Sequence, residues 1–216
     1  MQQVGTIFLR IAGKTAGLGA SFDEINQLGA GLHDVPRQAV KLNVAIIPGG
    51  ESTAIARLSH DNADPIFDTI INKVKSGMPV YGTCMGSIFL AREIEGSTQG
   101  RLALMDIKVR RNAFGSQRNS FEMDLRIACL GEPDFPAIFI RAPLITGVGT
   151  KVQVLASVAE GVVMARQENM LVTAFHPEIV DDLRVHRYFV GMVNGETTST
   201  LSKIATSSNS PNVTSR

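Results

Sequence analysis

Short apolar segments alternate with helical patterns through the first half of this chain. Val4–Leu9 and Val44–Pro48 have the composition of buried strands, and Gly49-Gly50 ends the second one. The stretch from Asp64 to Gly77 has the cap, the apolar period and the glycine stop of an amphipathic helix. Strands and helices in alternation predict a mostly parallel sheet that is covered by helices on both faces.

The stretch between residues 102 and 175 has a different character, because β-rich runs follow one another with turn residues between them. We expect these runs to add antiparallel strands to the parallel core. A last amphipathic helix is predicted over Asp181–Val193. The predicted fold class is therefore α/β, a three-layer sandwich around a mostly parallel sheet with added antiparallel strands. The β-rich runs are Met105–Val109, Phe121–Ile127, Ala137–Arg141, Val152–Leu155, Val162–Ala165 and Met170–Phe175.

The chain has 216 residues, enough for one domain with a full core, and 44% of them are hydrophobic. We predict a single domain over residues 1–194 and a disordered Ser/Thr/Asn-rich tail over 195–216, which has little to bury. The net charge is +1 without a basic run, so neither nucleic acid nor a membrane surface is favoured as a partner. No apolar stretch reaches the roughly 20 residues that span a bilayer.

Cysteine usage limits the chemistry and the compartment. The chain contains only Cys84 and Cys129, without a CxxC motif or a Cys/His cluster that would indicate zinc. It also begins without the charged and apolar regions of a secretory signal. We therefore expect reduced thiols in the cytoplasm, with no metal and no cofactor.

Cys84 lies in the segment Val80–Gly86, where a short apolar strand gives way to a helix that is predicted to begin with Ile88–Ala91. Such a turn can expose a thiol at the end of a strand, and the N-terminus of the following helix favours the thiolate. Gly82 and Gly86 leave space around this turn. A lone cysteine is more often a buried small hydrophobe, which is our interpretation of Cys129. The setting of Cys84 instead predicts a nucleophile.

His176 ends the apolar run Leu171–Phe175, and Glu178 follows it across a proline. Pro177 fixes the backbone, so the segment can hold the acid against the imidazole. The ordinary alternatives are a capping or core histidine and a surface carboxylate. Together with Cys84, however, these are the parts of an activated thiolate nucleophile, and they predict an enzyme.

The turn at Pro48–Thr53 follows a strand and opens a helical pattern. It is not a Walker loop, because no Gly-Lys-Ser/Thr follows. Its backbone N–H groups could form one half of an oxyanion hole, with the N–H of Met85 as the other half. Glu51 and Ser52 would then line a substrate pocket or cap the helix.

Taken together, these segments resemble the class I, triad-type glutamine amidotransferases, and among them the glutaminase-subunit family of pyridoxal 5'-phosphate synthase. The motifs occur in order and cover about residues 42–193. They are Pro48–Thr53, Gly82–Gly86, Val109–Gly115 with Ser120–Glu122, Phe139–Pro143, Phe175–Glu178 and Asp182–Phe189.

The resemblance implies an α/β sandwich and a mechanism. Cys84 would attack the side-chain amide of L-glutamine, His176 would transfer the proton, and Glu178 would orient the imidazole. Gly50 and Met85 would supply the oxyanion N–H groups. Arginine suits the α-carboxylate of glutamine through a bidentate contact. The residues implied in substrate binding are Gly49, Glu51, Ser52, Arg111, Asn112 and Arg141.

The resemblance also implies a partner. A glutamyl thioester would be hydrolysed, and the ammonia would pass to a TIM-barrel synthase subunit that makes pyridoxal 5'-phosphate. Two alternatives stay open: an amidotransferase subunit that serves another acceptor, and a catalytically weak regulatory or binding subunit. The second is favoured by residues 10–31, which depart from the family pattern.

Overall fold

The computed structural model describes residues 7–8, 44–49, 65–115 and 120–196. In these ranges the chain forms eleven strands, three α-helices and two short 3-10 turns. The strands are β1 (Ile7–Phe8), β2 (Ala45–Ile47), β3 (Val80–Thr83), β4 (Ala91–Ile94), β5 (Met105–Arg110), β6 (Ser120–Leu125), β7 (Phe135–Ile140), β8 (Leu144–Val148), β9 (Gln153–Val158), β10 (Gly161–Gln167) and β11 (Met170–Thr173). The helices are α1 (Pro65–Lys75), α2 (Met85–Leu90) and α3 (Arg184–Val193), and the 3-10 turns are Ala128–Leu130 and Pro177–Ile179.

The strands form one mixed sheet and one hairpin. The sheet has the order β1-β2-β3-β11-β10-β8-β5-β4, and β9 pairs with β10 outside this path. The first four strands are parallel to one another, β10 and β8 run antiparallel to their neighbours, and β4 is parallel to β5. Strands β6 and β7 form a separate antiparallel hairpin. This architecture confirms the predicted α/β class.

Two hydrophobic cores lie on opposite faces of the sheet. Consecutive strand residues point to opposite faces, so Val80 packs in one core and Tyr81 in the other. Helices α1 and α2 cover the first face, where Val74 and Phe89 are buried. Helix α3 and the β6–β7 hairpin cover the second face, where Phe139 and Tyr188 are fully buried. The sheet and the two layers that cover its faces make a three-layer arrangement.

Several predicted elements agree with the structure. The predicted helix that ends at Gly77 is α1, and Gly77 has φ +100°, a left-handed conformation that glycine adopts without strain. Ile7–Phe8 pairs in parallel with Ala45–Ile46, within the predicted first two strands. Residues 197–216 of the predicted tail lie outside the described residues. None of the described helices is long and apolar enough to cross a membrane.

Other boundaries were predicted wrongly. Ala91 was placed in the helix after Cys84, but α2 ends at Leu90 and Ala91 begins β4, which pairs with β5. The sequence did not predict strand β8, because Pro143 comes directly before it and Gly147 interrupts its apolar pattern, although β5 and β10 both pair with it. The last helix begins at Arg184 and not at Asp181; Leu183 is its N-cap, and the carboxylate of Asp182 accepts the Arg184 backbone N–H at 3.0 Å.

Candidate active site

The candidate site lies where three adjacent parallel strands end. Register partners align the ends of β2 and β3 through Ile47 and Gly82, and those of β3 and β11 through Thr83 and Thr173. The segments that follow these strands carry Gly49, Cys84 and His176. The carboxyl ends of parallel strands are where α/β proteins bind their ligands.

Cys84 stands on a sharp turn between β3 and α2, with φ 47° and ψ −105°. Its N–H donates to the carbonyl of Thr173 at 2.8 Å, and its carbonyl accepts the Ser87 hydroxyl at 2.6 Å. The turn is tight: a Cβ on Gly86 would lie 2.0 Å from the carbonyl oxygen of Ile47, and one on Gly82 would lie 2.6 Å from Gly86. Both glycines are therefore required by close backbone contacts.

His176 and Glu178 form a direct pair. The Nδ1 atom of His176 lies 2.8 Å from the Oε1 atom of Glu178. The 3-10 turn at Pro177–Ile179 folds the carboxylate back onto the imidazole ring, two residues earlier in the chain. The backbone N–H of His176 donates to the Ile138 carbonyl at 2.8 Å, so β7 holds the start of this turn.

The surroundings of His176 favour its charged form. Burial is the largest influence on its pKa and lowers it, but hydrogen bonds to Cys84 and Glu178, with the attraction of their charges, outweigh burial. Together they raise the pKa of His176 to about 10. The imidazole thus lies between the thiol and the carboxylate, and both neighbours favour its protonated form.

Gly49 packs directly against His176 and Cys84. A Cβ at Gly49 would lie 2.4 Å from Cε1 of His176 and 3.3 Å from Cβ of Cys84. The Gly49 N–H donates to the hydroxyl of Thr83 at 3.0 Å, and that hydroxyl contacts Glu178. The sequence reasoning missed Thr83. The signal that could have found it is a polar residue at the buried end of a strand, directly before the cysteine.

Two more segments border the thiol. The Cys84 thiol donates to the carbonyl of Ile140 at 3.7 Å, so the exposed Arg141 follows the residue that contacts the sulfur. Arg111 and Asn112 belong to the turn after β5, and the Ala113 N–H donates to the Ala142 carbonyl at 3.1 Å. This bond holds the turn beside the segment of Arg141.

The three predicted substrate residues of these segments differ in their geometry. Asn112 and Arg141 have positive φ values of 47° and 44°, which are uncommon for residues other than glycine. The guanidinium of Arg111 donates to the side chain of Gln99 at 2.9 Å.

The other predicted site residue that the structure describes is Met85. Met85 is the first residue of α2, where a backbone N–H has no acceptor within its helix. The described residues contain no group of His, Cys, Asp and Glu side chains that could hold a metal ion. Cys129 is half-buried, and burial raises the pKa of its thiol to about 11. Gly50, Glu51 and Ser52 lie outside the described residues.

This arrangement is suited to acyl transfer. A thiol on a strained turn neighbours an imidazole, and a carboxylate contacts the Nδ1 atom of that imidazole. A backbone N–H at the start of a helix adjoins the thiol, where a tetrahedral intermediate would carry its negative charge.

Comparisons with known proteins agree with this chemistry. The model of the SNO glutamine amidotransferase family matches residues 28–195. Pyridoxal 5'-phosphate synthase subunit PdxT of Carboxydothermus hydrogenoformans is 54% identical over 158 residues, which cover 73% of this chain and 82% of that protein. PdxT of Pelotomaculum thermopropionicum is 53% identical over 155 residues, covering 72% and 78% of the two chains. A crystal structure described as a glutamine amidotransferase superposes with a TM-score of 0.66 at 42% identity, covering 71% of this chain and 80% of the other.

Proposed function

Because the chain belongs to the SNO glutamine amidotransferase family, we propose that it hydrolyses L-glutamine to L-glutamate and ammonia as the glutaminase subunit of a pyridoxal 5'-phosphate synthase. Relatives that are 49% to 54% identical over 72% to 73% of this chain carry the name of a subunit of that synthase. The chain is thus an amidotransferase of this group. The contacts of the described site residues support the hydrolytic roles that we propose for them.

The single observation that carries the chemical proposal is the contact of His176 with both Cys84 and Glu178. Because the imidazole accepts the thiol proton while Glu178 stabilises the resulting imidazolium, Cys84 becomes a thiolate nucleophile. The thiolate attacks the amide carbon of glutamine, and the carbonyl oxygen becomes an oxyanion. The Met85 N–H, with that of Gly50, stabilises this charge.

The proton that His176 took from the thiol then goes to the departing nitrogen, and ammonia leaves. A glutamyl thioester remains on Cys84. Water attacks this thioester with His176 as its base, the carbon–sulfur bond breaks, and glutamate is released. The proton taken from water stays on His176 beside the released Cys84 sulfur, so the starting pair is restored and one glutamine and one water give one glutamate and one ammonia.

Substrate binding in this proposal uses the residues around the thiol. Arg141 lies one residue beyond the carbonyl that the thiol contacts, so its guanidinium is suited to the α-carboxylate of glutamine. Arg111 and Asn112 sit on the turn that is bonded to the same segment. Gly49 packs against His176, and the resemblance of Pro48–Thr53 to the family motif assigns glutamine binding to Glu51 and Ser52 as well.

The proposal includes a partner and a location. The ammonia passes to a synthase subunit with a TIM-barrel fold, where it is used to build pyridoxal 5'-phosphate. We place both proteins in the cytoplasm, because the reaction needs a reduced Cys84.

The experiment that tests this function measures glutamate release from glutamine by the chain alone and with its cognate synthase subunit. We expect release that rises when the synthase is added and that is lost in Cys84→Ala. Absence of glutamate in both conditions would refute the proposed function. Release that ignores the synthase would instead favour an amidotransferase that serves another acceptor.

The role of His176 has a separate test that uses a glutamine-mimicking electrophile at neutral pH. We expect His176→Asn to leave Cys84 poorly alkylated, because asparagine cannot accept the thiol proton. Labelling at the wild-type rate would show that His176 is not the base.

A further inference from the structure

Thr83 is a buried polar residue at the end of β3, with only 4% of its surface exposed. Buried hydroxyl groups are almost always hydrogen-bonded, so the partners of this one are informative. Its oxygen accepts the backbone N–H of Gly49 at 3.0 Å, and its hydroxyl donates to Oε1 of Glu178 at 3.4 Å. Both partners belong to the candidate active site.

The direction of these bonds is fixed by chemistry. The Gly49 N–H can only donate, so the Thr83 oxygen accepts there and its hydrogen is left for the carboxylate. The same Oε1 atom of Glu178 also contacts Nδ1 of His176 at 2.8 Å. Hydrogen bonds therefore run from Gly49 through Thr83 and Glu178 to His176. The contact to Glu178 is long for an O–H···O bond, so the bond to Gly49 is the firmer of the two.

Strand register explains why Thr83 can reach both partners. Thr83 is the parallel register partner of Thr173, which lies two residues before Phe175. The hydroxyl of Thr173 is already engaged, because it donates to the Phe175 carbonyl at 3.1 Å and contacts the Tyr81 hydroxyl at 3.0 Å. Thr173 thus cannot replace Thr83 as the donor to Glu178.

We propose that Thr83 is a positioning residue, which holds the Gly49 turn and the Glu178 carboxylate in one arrangement around Cys84. In this role the buried hydroxyl acts through these two groups. The proposal rests on the proposed function only for its kinetic consequences. The thiol reactivity of Cys84 provides a readout that needs no glutamine.

The informative variant is Thr83→Val, which keeps the β-branched shape and removes the hydroxyl. A methyl group would then face the carboxylate, and an apolar neighbour cannot solvate a charge. Glu178 is partly exposed and would turn toward water, which leaves His176 without its partner. The other titratable groups near this pair are Cys84, Tyr81 and His186.

The first measurement is the rate of Cys84 alkylation by iodoacetamide as a function of pH. We expect Thr83→Val to be alkylated about 10-fold more slowly at neutral pH, the effect of one lost hydrogen bond. The midpoint of its pH profile should also move to higher pH. Thr83→Ser keeps the hydroxyl and should react at close to the wild-type rate. Thr146→Val is the matched control. The exposed Thr146 hydroxyl donates to Glu95, which lies in the connection between β4 and β5 and not in the site.

The second measurement is glutamine hydrolysis by the same variants with the synthase subunit present. We expect Thr83→Val to lower kcat with little change in KM, because the ordered site acts on the transition state and not on glutamine binding. An unchanged alkylation profile in Thr83→Val would overturn the proposal, and so would equal losses in Thr83→Val and Thr83→Ser. If the wild type released no glutamate, the proposed function would fail, while the alkylation profiles would still decide the role of Thr83.

Discussion

The backbone of Cys84 adopts a positive φ of 47°. Such a conformation suits glycine and costs other residues about 1–3 kcal/mol. The surrounding bonds maintain it, since the Cys84 N–H and carbonyl are both held, by Thr173 and by the Ser87 side chain. The turn thus keeps a strained backbone at Cys84, the residue whose thiol projects from the end of β3.

This strain predicts an unusual order of stability at position 84. We expect Cys84→Gly to have a free energy of unfolding about 1 kcal/mol higher than Cys84→Ala, because only glycine relieves the positive φ. Urea denaturation of the two variants measures the difference. The same pair of residues at position 156, a buried alanine on β9 without a positive φ, should show the reverse order. A less stable Cys84→Gly would mean that the turn is not strained.

The pKa of His176 predicts a pH dependence of stability. It is raised from its usual value of 6.5 to about 10 in the folded chain, so folding favours the protonated ring. The stabilisation is complete below pH 6.5 and is lost as the pH rises through about 10. We expect the stability difference between wild type and His176→Gln to shrink over this interval in denaturation experiments. A difference that grew with pH would contradict the protonated pair.

At the scale of elements, the strands that carry the site were easier to predict than their neighbours. β3 and β11 are apolar runs ended by Gly-Thr-Cys and by Phe-His-Pro, so local sequence was sufficient. The end of α2 was not predictable in this way, because Leu90 and Ala91 are equally apolar and pairing with β5 decides where the helix stops.

The contacts inside the site depend on register and not on local pattern. Gly49 meets His176 and Thr83 meets Glu178 only because β2, β3 and β11 end side by side. The periodicity of the sequence does not predict which strand ends lie side by side. The sequence could therefore identify the cysteine, histidine and glutamate as candidates, whereas the threonine between them needed the folded chain.

Helix α2 packs on β2 through a glycine. A Cβ at Gly86 would lie 2.0 Å from the Ile47 carbonyl oxygen, which is backbone and cannot easily move. We expect Gly86→Ala to lower the free energy of unfolding by about 2–3 kcal/mol and to displace Cys84, since overpacking forces the backbone apart. Urea denaturation and the alkylation rate of Cys84 measure the two effects.

Gly147→Ala is the matched control for this prediction. Its new Cβ would lie 3.3 Å from Cβ of Lys108 on a neighbouring strand, a contact that a small shift can relieve. We expect little change in either measurement. Equal effects of the two substitutions would show that the close approach of α2 to β2 is not what requires glycine at position 86.

At the scale of the whole molecule, Arg184 joins the last helix to the β6–β7 hairpin. Its side chain is 3% exposed, and its guanidinium bonds the Asp182 carboxylate at 2.6 Å and the Pro133 carbonyl at 2.5 Å. It also donates to the carbonyl of Asp134. Because β7 contacts both the Cys84 thiol and the His176 N–H, this buried cation supports the site from a distance.

We expect Arg184→Met to lower the free energy of unfolding by about 3–5 kcal/mol, because Asp182 and several carbonyls lose their partner. Thermal or urea denaturation measures the loss. Arg92→Met removes an exposed ion pair with Asp106 and should leave the unfolding midpoint nearly unchanged. Similar losses in both variants would mean that burial of the guanidinium is not the cause.

We propose above that Cys84 is the nucleophile which His176 and Glu178 activate. The most direct measurement identifies, by mass spectrometry of peptides, the residue to which a glutamine-mimicking electrophile attaches at neutral pH in the wild-type chain. We expect attachment to Cys84, at a rate that free glutamine lowers. Cys129 should stay unlabelled because its thiol is half-buried and has a raised pKa. Attachment to Cys129, or attachment to Cys84 that glutamine does not slow, would contradict it.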